Sequence, residues 1–125
     1  MLDAVALIAS LDVFSQTSTS VLRRKSALMT GYLDYLMDSR IEYRLFEPMC
    51  PNPADRGAQL SLRFHNKDLL DRVVARLRAK GIVVAQHQDV MRVAPVPLYN
   101  TFLEIWDFVD ELQQALSSCE SNVQL

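Results

Sequence analysis

The sequence has few glycines, cysteines and histidines, and each shortage excludes a kind of site. Its three glycines are not paired in a motif, so the chain has no glycine-rich loop to cradle a phosphate. The two cysteines, Cys50 and Cys119, lie far apart, whereas a secreted disulfide scaffold would carry more; this favours the reducing cytosol. The two histidines, His65 and His87, are not part of a cluster with metal-ligand spacing, and we interpret both as surface residues.

The chain also lacks a strong excess of charge and a long hydrophobic run. Its net charge is -2 and its sequence pI about 5.6, which gives no reason to expect nucleic acid or an anionic membrane as a partner. The apolar run at residues 4–11 is too short to span a bilayer, and no cationic segment precedes it to form a signal peptide. With 125 residues, 50% of them hydrophobic, the sequence predicts one cytoplasmic domain with one core.

Apolar periodicity predicts four helices, at residues 2–14, 21–37, 67–80 and 101–117. The hydroxyls of residues 17–20 can cap the second helix, Asn66 can cap the third, and Gly81 ends the third. The first helix is apolar almost all round, and such a helix is normally buried on several sides. Nothing else in the chain is obviously large enough to cover it. We therefore expect a missing partner, either another subunit or more of the same chain.

Alternating polar and apolar residues predict strands at residues 40–46, 59–64, 82–85 and 91–94. The first of these is expected at a sheet edge, three prolines make residues 47–55 a loop, and residues 86–89 form a polar turn. The order of elements is α-α-β-β-α-β-β-α. It predicts a two-layer α/β or α+β sandwich, with a short sheet covered by helices.

The segment at residues 91–100 combines a strand end with two prolines. Pro95 and Pro97 fix φ and remove two amide donors, so we expect the segment to leave the sheet as an extended, stiff arm. Thr101 and Glu104 then form a capping box at the start of the last helix. Arg92 lies just before the arm, where its position is well determined. A rigid guanidinium suits recognition of a planar carboxylate, although strand-end arginines commonly pair with a nearby carboxylate of their own chain.

The remaining charged motifs have simpler interpretations. The basic residues 23–25 are interpreted as a solvated helix face, with contact to a phosphate or an acidic partner as the alternative. Arg56 and Gly57 are interpreted as an exposed arginine beside a turn glycine. Asp107, Asp110 and Glu111 are interpreted as solubilising residues on the polar side of the last helix.

Cys50 and Tyr99 carry reactive or polar groups, but both have simpler interpretations. Cys50 has no identifiable base or electropositive setting, so we interpret it as an inert thiol. Tyr99, which follows the two prolines, is interpreted as a packing residue.

Together these motifs resemble those of the C-terminal part of a kynureninase. The matching segments are KS at 25–26, TGYLDYL at 30–36, RGAQLS at 56–61, and RVAPVPLYN at 92–100 followed by an aromatic at 102. The last segment is the most specific, because its proline spacing is hard to obtain by chance. The similarity covers about residues 2–116. Residues 85–89 depart from the family, which usually has Asp-x-Arg there.

The resemblance implies a fold and a chemistry. Kynureninases are pyridoxal-phosphate (PLP) enzymes of the aspartate-aminotransferase fold, fold type I, and act as homodimers. They hydrolyse L-kynurenine or 3-hydroxykynurenine to alanine plus anthranilate or 3-hydroxyanthranilate, in tryptophan catabolism and NAD biosynthesis. In that family the arginine of the Arg-Val-Ala-Pro motif binds the substrate α-carboxylate, and in this chain that residue is Arg92.

The resemblance also implies what this chain does not supply. The family's large domain, with the Schiff-base lysine and the phosphate-binding groups, would lie upstream, and Lys25, Lys67 and Lys80 do not fall in a matching motif. We therefore expect no catalytic residue, no metal and no PLP on this chain alone, and no hydrolysis of kynurenine by it. Residues 1–18 would pack on the missing large domain, residues 19–118 would form the small domain, and residues 119–125 would be a frayed tail.

Two other functions remain open from the sequence. One is a non-catalytic module that associates with itself or with a full-length subunit, which the apolar first helix favours. The other is a free-standing amino-acid sensor that uses Arg92.

Overall fold

The computed structural model describes residues 2–41 and 45–120 of the chain. The predicted order of helices and strands is confirmed. The elements are α1 (Leu2–Phe14), α2 (Thr19–Arg40), β1 (Phe46–Pro48), a single 3-10 turn (Pro53–Asp55), β2 (Leu60–Phe64), α3 (Lys67–Ala79), β3 (Ala85–His87), β4 (Val90–Val93) and α4 (Phe102–Glu120).

The four strands form one antiparallel sheet in the order β1-β2-β4-β3. One face of the sheet carries buried apolar residues from three strands: Phe46, Leu60, Leu62, Phe64, Met91 and Val93. These residues share a single core with the buried faces of α2, α3 and α4. The predicted two-layer α+β arrangement is therefore confirmed, and the opposite face of the sheet has no helix on it within the described part of the chain.

The predicted capping signals are confirmed at the starts of α2, α3 and α4. Ser18 caps α2 by accepting a hydrogen bond from the Val21 amide at 3.3 Å, and the Asn66 side chain caps α3. The capping box is also confirmed at α4: the Thr101 amide donates to Glu104 at 2.7 Å, and the Glu104 amide donates to the Thr101 hydroxyl at 3.2 Å. Gly81 follows α3 with φ of 79°, a conformation that glycine adopts without a steric penalty.

Several predicted boundaries are wrong. The strand expected at residues 82–85 forms instead at Ala85–His87, because its position is set by pairing with β4 through a tight turn in which Gln88 has φ of 53°. Pro48, which was assigned to a loop, ends the edge strand β1, where a missing amide donor is tolerated. Residues 42–44 of the predicted edge strand lie outside the described residues.

The C-terminal helix is longer than expected. α4 continues to Glu120 rather than ending near residue 117, and Cys119, which was predicted to be in a frayed tail, is helical and buried. Residues 121–125 of that predicted tail lie outside the described part of the chain.

Helices α2 and α4 are joined by a polar contact at the end of α2. The Arg40 guanidinium donates to Asp110 at 2.7 Å and to Gln113 at 2.9 Å, and it lies 4.6 Å from the centre of the Trp106 ring. The hydrogen bond from Arg40, and after it one from the Gln114 side chain at 2.8 Å, hold the pKa of Asp110 below its ordinary value. Asp110 is thus an interhelical partner, and its interpretation as a solubilising residue is wrong.

Helix α1 does not contribute to the hydrophobic core. None of its residues is buried, and Leu2, Val5, Leu7, Ile8, Leu11, Val13 and Phe14 are all exposed. The described fold therefore leaves the apolar surface of α1 uncovered.

No single helix among the described residues is long and apolar enough to cross a membrane; α1 and α2 pass that test only as a pair, which is bent by 77°.

Candidate functional site

Arg92 lies on the open face of the sheet, in the middle of β4. Its neighbours Met91 and Val93 point into the core, so the alternation of a strand directs the Arg92 side chain away from the helices. Ser61 of β2 and Ala85 of β3 lie directly beside it in register. Both neighbours are small, and Arg92 is exposed. The backbone of three hydrogen-bonded strands thus fixes the origin of this side chain while leaving its guanidinium accessible.

The charge of Arg92 has no counterion in the described part of the chain. No carboxylate there lies within 4.0 Å of the guanidinium, and no hydrogen bond to it is formed. The other arginine on this face, Arg63, lies near Glu47 at 3.6 Å and near Asp89 at 3.8 Å. The two arginines therefore differ: the charge of Arg63 is balanced within the chain and that of Arg92 is available.

The proline segment after β4 is folded more tightly than predicted. Pro95 is buried, and residues 97–99 form a turn closed by a bond of 2.9 Å from the Asn100 amide to the Val96 carbonyl. The Asn100 side chain accepts from the Val96 amide at 2.8 Å, and Lys25 of α2 donates to the Asn100 carbonyl at 2.9 Å. The expected extended arm is therefore wrong in shape, but the segment does tie the end of β4 to α2 and α4.

Tyr99 does not pack as predicted. Its side chain is 69% exposed at the tip of this turn, because the turn carries residues 97–99 outward before α4 begins.

The interpretation of Arg56 as an exposed residue is wrong. Its side chain is 4% exposed and donates to Asp34 of α2 at 2.9 Å, and its carbonyl accepts from Arg23 at 3.3 Å. Two of its nitrogens, Nε and Nη1, are buried without a partner. The pairing with Asp34 could not be seen from spacing in the sequence, because it joins a loop to a distant helix.

The basic residues 23–25 are also more than a solvated face. Arg23 bonds to the loop at Arg56, and Lys25 bonds to Asn100, so two of the three connect α2 to other elements. Both histidines, His65 and His87, are exposed as predicted. Within residues 2–41 and 45–120, no group of three His, Cys, Asp or Glu side chains is arranged to hold a metal ion.

Two cavities lie near these residues. The larger, of about 560 Å³, lies between the end of α3, the end of β4 and α4, and its polar lining includes Glu104, Asp107, Asp110 and Glu111. The smaller, of about 220 Å³, lies beside β2 and is lined by Cys50, Arg56, Gly57, Gln59 and Ser61, among others. The smaller cavity is lined by Ser61, the cross-strand partner of Arg92, and the larger by Val93, the next residue in β4; neither cavity is lined by Arg92 itself.

The described lysines do not fit the phosphate or the aldehyde of PLP. Lys25 is bonded to the Asn100 carbonyl, Lys67 pairs with Asp71 at 2.7 Å, and Lys80 lies 3.4 Å from Glu111. The cavity that contains Lys80 is lined by carboxylates, which repel a phosphate.

Comparison with known protein families decides the identity of the domain. The family model described as "Kynureninase C-terminal domain" matches residues 22–112. The chain belongs to the kynureninase C-terminal domain family. The matched region runs from the start of α2 into α4 and therefore includes the whole sheet and Arg92.

Curated relatives agree with this assignment. Kynureninase 2 of Aspergillus clavatus is 50% identical over 119 residues, which is 92% of this chain and 25% of that protein. Kynureninase 1 of Aspergillus fumigatus is 45% identical over 115 residues, which is 86% of this chain and 22% of that protein. The chain thus spans about a quarter of the length of the curated relatives it matches.

Solved structures with the same fold are aminotransferases. A lysine aminotransferase from M. tuberculosis, in its internal aldimine form, superposes with a TM-score of 0.61 at 16% identity, covering 93% of this chain and 24% of that one. Plasmodium falciparum ornithine delta-aminotransferase gives a TM-score of 0.59 at 14% identity, covering 78% and 25%. At this identity the comparison shows the fold alone, which is that of the C-terminal domain of fold type I enzymes, as expected.

Proposed function

We propose that this chain is the carboxylate-recognition domain of a kynureninase, in which Arg92 binds the α-carboxylate of L-kynurenine or 3-hydroxykynurenine. The observation that carries the proposal is the exposed guanidinium of Arg92, without a counterion in the described residues, at a fixed position in β4. An arginine can hold a carboxylate through two parallel hydrogen bonds, and so fixes the orientation of an amino acid as well as its position.

We infer that the cofactor and the reacting groups are supplied by the rest of the protein. The curated relatives are about four times longer than the matched region, and the lysines described here are all bonded to protein oxygens. PLP would be bound by the remaining three quarters, and this chain would bring the substrate carboxylate to it.

The exposed surface of α1 supports docking onto that remainder. Its apolar residues are uncovered on every side. An exposed contiguous apolar surface of this kind is typical of a site that packs against another protein surface. In this proposal residues 1–18 pack on the large domain, and the complete protein forms the homodimer of its family.

Turnover of L-kynurenine tests this division of roles. The purified 125-residue chain with added PLP should not produce anthranilate. The same chain joined to the upstream three quarters of Kynureninase 2 from Aspergillus clavatus, in place of the corresponding segment of that protein, should produce it. Turnover by the isolated chain, or an inactive fusion that is folded and binds PLP, would contradict the proposal.

A second candidate function is a non-catalytic module that associates through α1. The absence of any buried residue in α1 favours it. Sedimentation of the isolated chain distinguishes the two: a defined dimer or a stable complex with a full-length kynureninase subunit supports association, and a monomer at all concentrations argues against it. A cytosolic location, which the two free cysteines favour, stays a prediction of both functions.

A further inference from the structure

Ser61 lies beside Arg92 in the sheet, although the two residues are far apart in the sequence. The two residues are direct partners in the β2–β4 register. The Ser61 carbonyl accepts from the Met49 amide at 2.9 Å, so the polar backbone groups of Ser61 face β1 and not β4. Ser61 and Arg92 therefore form a non-hydrogen-bonded pair, in which Cα atoms are about 4.5 Å apart and side chains approach most closely.

The Ser61 hydroxyl does not donate a hydrogen bond to any other group in the described part of the chain. Its oxygen accepts a hydrogen bond from the Gln59 amide at 3.3 Å, and no acceptor in the described part of the chain lies within hydrogen-bond distance of the hydroxyl. Because a hydroxyl has one proton to donate, this proton is available to a ligand. Ser61 and Gln59 also line the cavity of about 220 Å³ beside β2, whereas Arg92 does not.

We propose that the Ser61 hydroxyl is a second donor to the ligand carboxylate held by Arg92. The inference rests on the proposed function, since it assumes that Arg92 binds a carboxylate. Arg92 supplies the charge and Ser61 supplies a neutral hydrogen bond from the neighbouring strand. Gln59 is then a positioning residue, because its side-chain amide donates to the Ser61 hydroxyl oxygen and leaves the hydroxyl proton for the ligand. Ser61 thus adds a hydrogen bond from a second strand to the two that the Arg92 guanidinium can form with a carboxylate.

Titration of the 125-residue chain followed by nitrogen-15 NMR tests the inference. The ligands are L-kynurenine and L-alanine, with L-alaninamide as the matched ligand that lacks the carboxylate. The carboxylate ligands should shift the Arg92 Nε–H and Ser61 amide signals, and L-alaninamide should not.

The decisive variants are Ser61→Thr and Ser61→Val, which have nearly the same shape and differ in the hydroxyl. Ser61→Thr should bind as the wild type does, whereas Ser61→Val should bind about tenfold more weakly, the loss typical of a hydrogen bond to a charged group. Dispersion of the NMR spectrum shows whether each variant is folded. Equal affinities of folded Ser61→Thr and Ser61→Val would overturn the role of Ser61.

Two further variants separate this role from the proposed function. Arg92→Gln should abolish the carboxylate-dependent shifts, and Arg63→Gln, which removes a balanced arginine from the same face, should not. If Arg92→Gln has no effect, or if no carboxylate-dependent shift occurs in the wild type, both proposals fail. If Arg92→Gln abolishes the shifts and the two Ser61 variants are equal, only the inference about Ser61 fails.

Discussion

Removal of Asp34 should destabilise the chain more than removal of its buried partner Arg56. Asp34 accepts the only hydrogen bond that the Arg56 guanidinium makes in the described residues, and two Arg56 nitrogens are already buried without a partner. Asp34→Ala leaves the whole cation buried and unpaired. Arg56→Met removes the cation together with its unpaired donors and fills much of the same volume.

The expected changes in the free energy of unfolding follow from the burial of the Asp34 and Arg56 side chains. Loss of one partner of a fully buried pair costs roughly 3–5 kcal/mol. The Asp34 side chain is 35% exposed, so water compensates part of the loss, and we expect Asp34→Ala to lower the free energy of unfolding by about 2 kcal/mol. Arg56→Met should lie within about 1 kcal/mol of the wild type, because unsatisfied buried donors are themselves costly.

Urea denaturation measures both effects. Asp38→Ala is the matched control, because Asp38 is an exposed aspartate on the same helix with no bonded partner in the described chain, and it reports the helix propensity of alanine alone. The double variant Asp34→Ala/Arg56→Met should be more stable than Asp34→Ala. If Arg56→Met is the less stable single variant, the buried cation stabilises the fold in its own right and this reasoning is wrong.

Four further predictions concern stability and association. Gly31→Ala should raise the free energy of unfolding by about 0.5–1 kcal/mol, since a Cβ there meets nothing within 4 Å; a destabilised variant would refute this. Thr101→Ala should lower the free energy of unfolding by about 1 kcal/mol through loss of the helix cap, and Thr101→Ser, which keeps the capping hydroxyl, should be as stable as the wild type. Hydrogen bonds from the Thr101 amide and hydroxyl, and then from Asn100, hold the pKa of Glu104 below its ordinary 4.5. The ionised carboxylate therefore stabilises the fold above pH 4.5, and this contribution is lost as the pH falls below that value. The decline in the free energy of unfolding below pH 4.5 should be shallower in Glu104→Gln, and an unchanged decline would contradict the assignment. The double variant Leu7→Gln/Leu11→Gln should keep the stability of the fold and reduce sedimentation-detected association, because both side chains are exposed on α1; undiminished association would place the contact elsewhere.

The features predicted correctly from the sequence are those that depend on residues a few positions apart, namely helix caps and strand alternation. Asn66 and Thr101 cap the helices that they were expected to cap, and Leu60, Leu62 and Phe64 point into the core as their alternation predicts. Each of these outcomes depends on residues within a few positions of one another, so the sequence carries the information directly.

Features that depend on distant residues were predicted less well. Val83 and Val84 favour a strand, but β3 begins at Ala85 because pairing with β4 through the turn at Gln88 sets its position. The burial of Arg56 depends on Asp34 in another element, and the position of Ser61 beside Arg92 depends on the strand register.

Arg92 itself was found through a motif and not through periodicity. Its position in a strand was predictable from the surrounding alternation, but the absence of a counterion near it is a property of the folded sheet. The role assigned to it, binding of an α-carboxylate, stays a prediction.

The most direct test of that role is the effect of Arg92→Gln on kcat/KM for L-kynurenine, measured in the fusion of this chain with the upstream part of the Aspergillus clavatus relative. Truncating one partner of a hydrogen-bonded charge pair costs about 2–5 kcal/mol, which corresponds to a loss of roughly 30-fold or more in kcat/KM. We expect such a loss for Arg92→Gln and a change of less than about twofold for Arg63→Gln, whose charge is already balanced. Equal effects of the two substitutions, or an unchanged kcat/KM in Arg92→Gln, would show that Arg92 does not bind the substrate carboxylate.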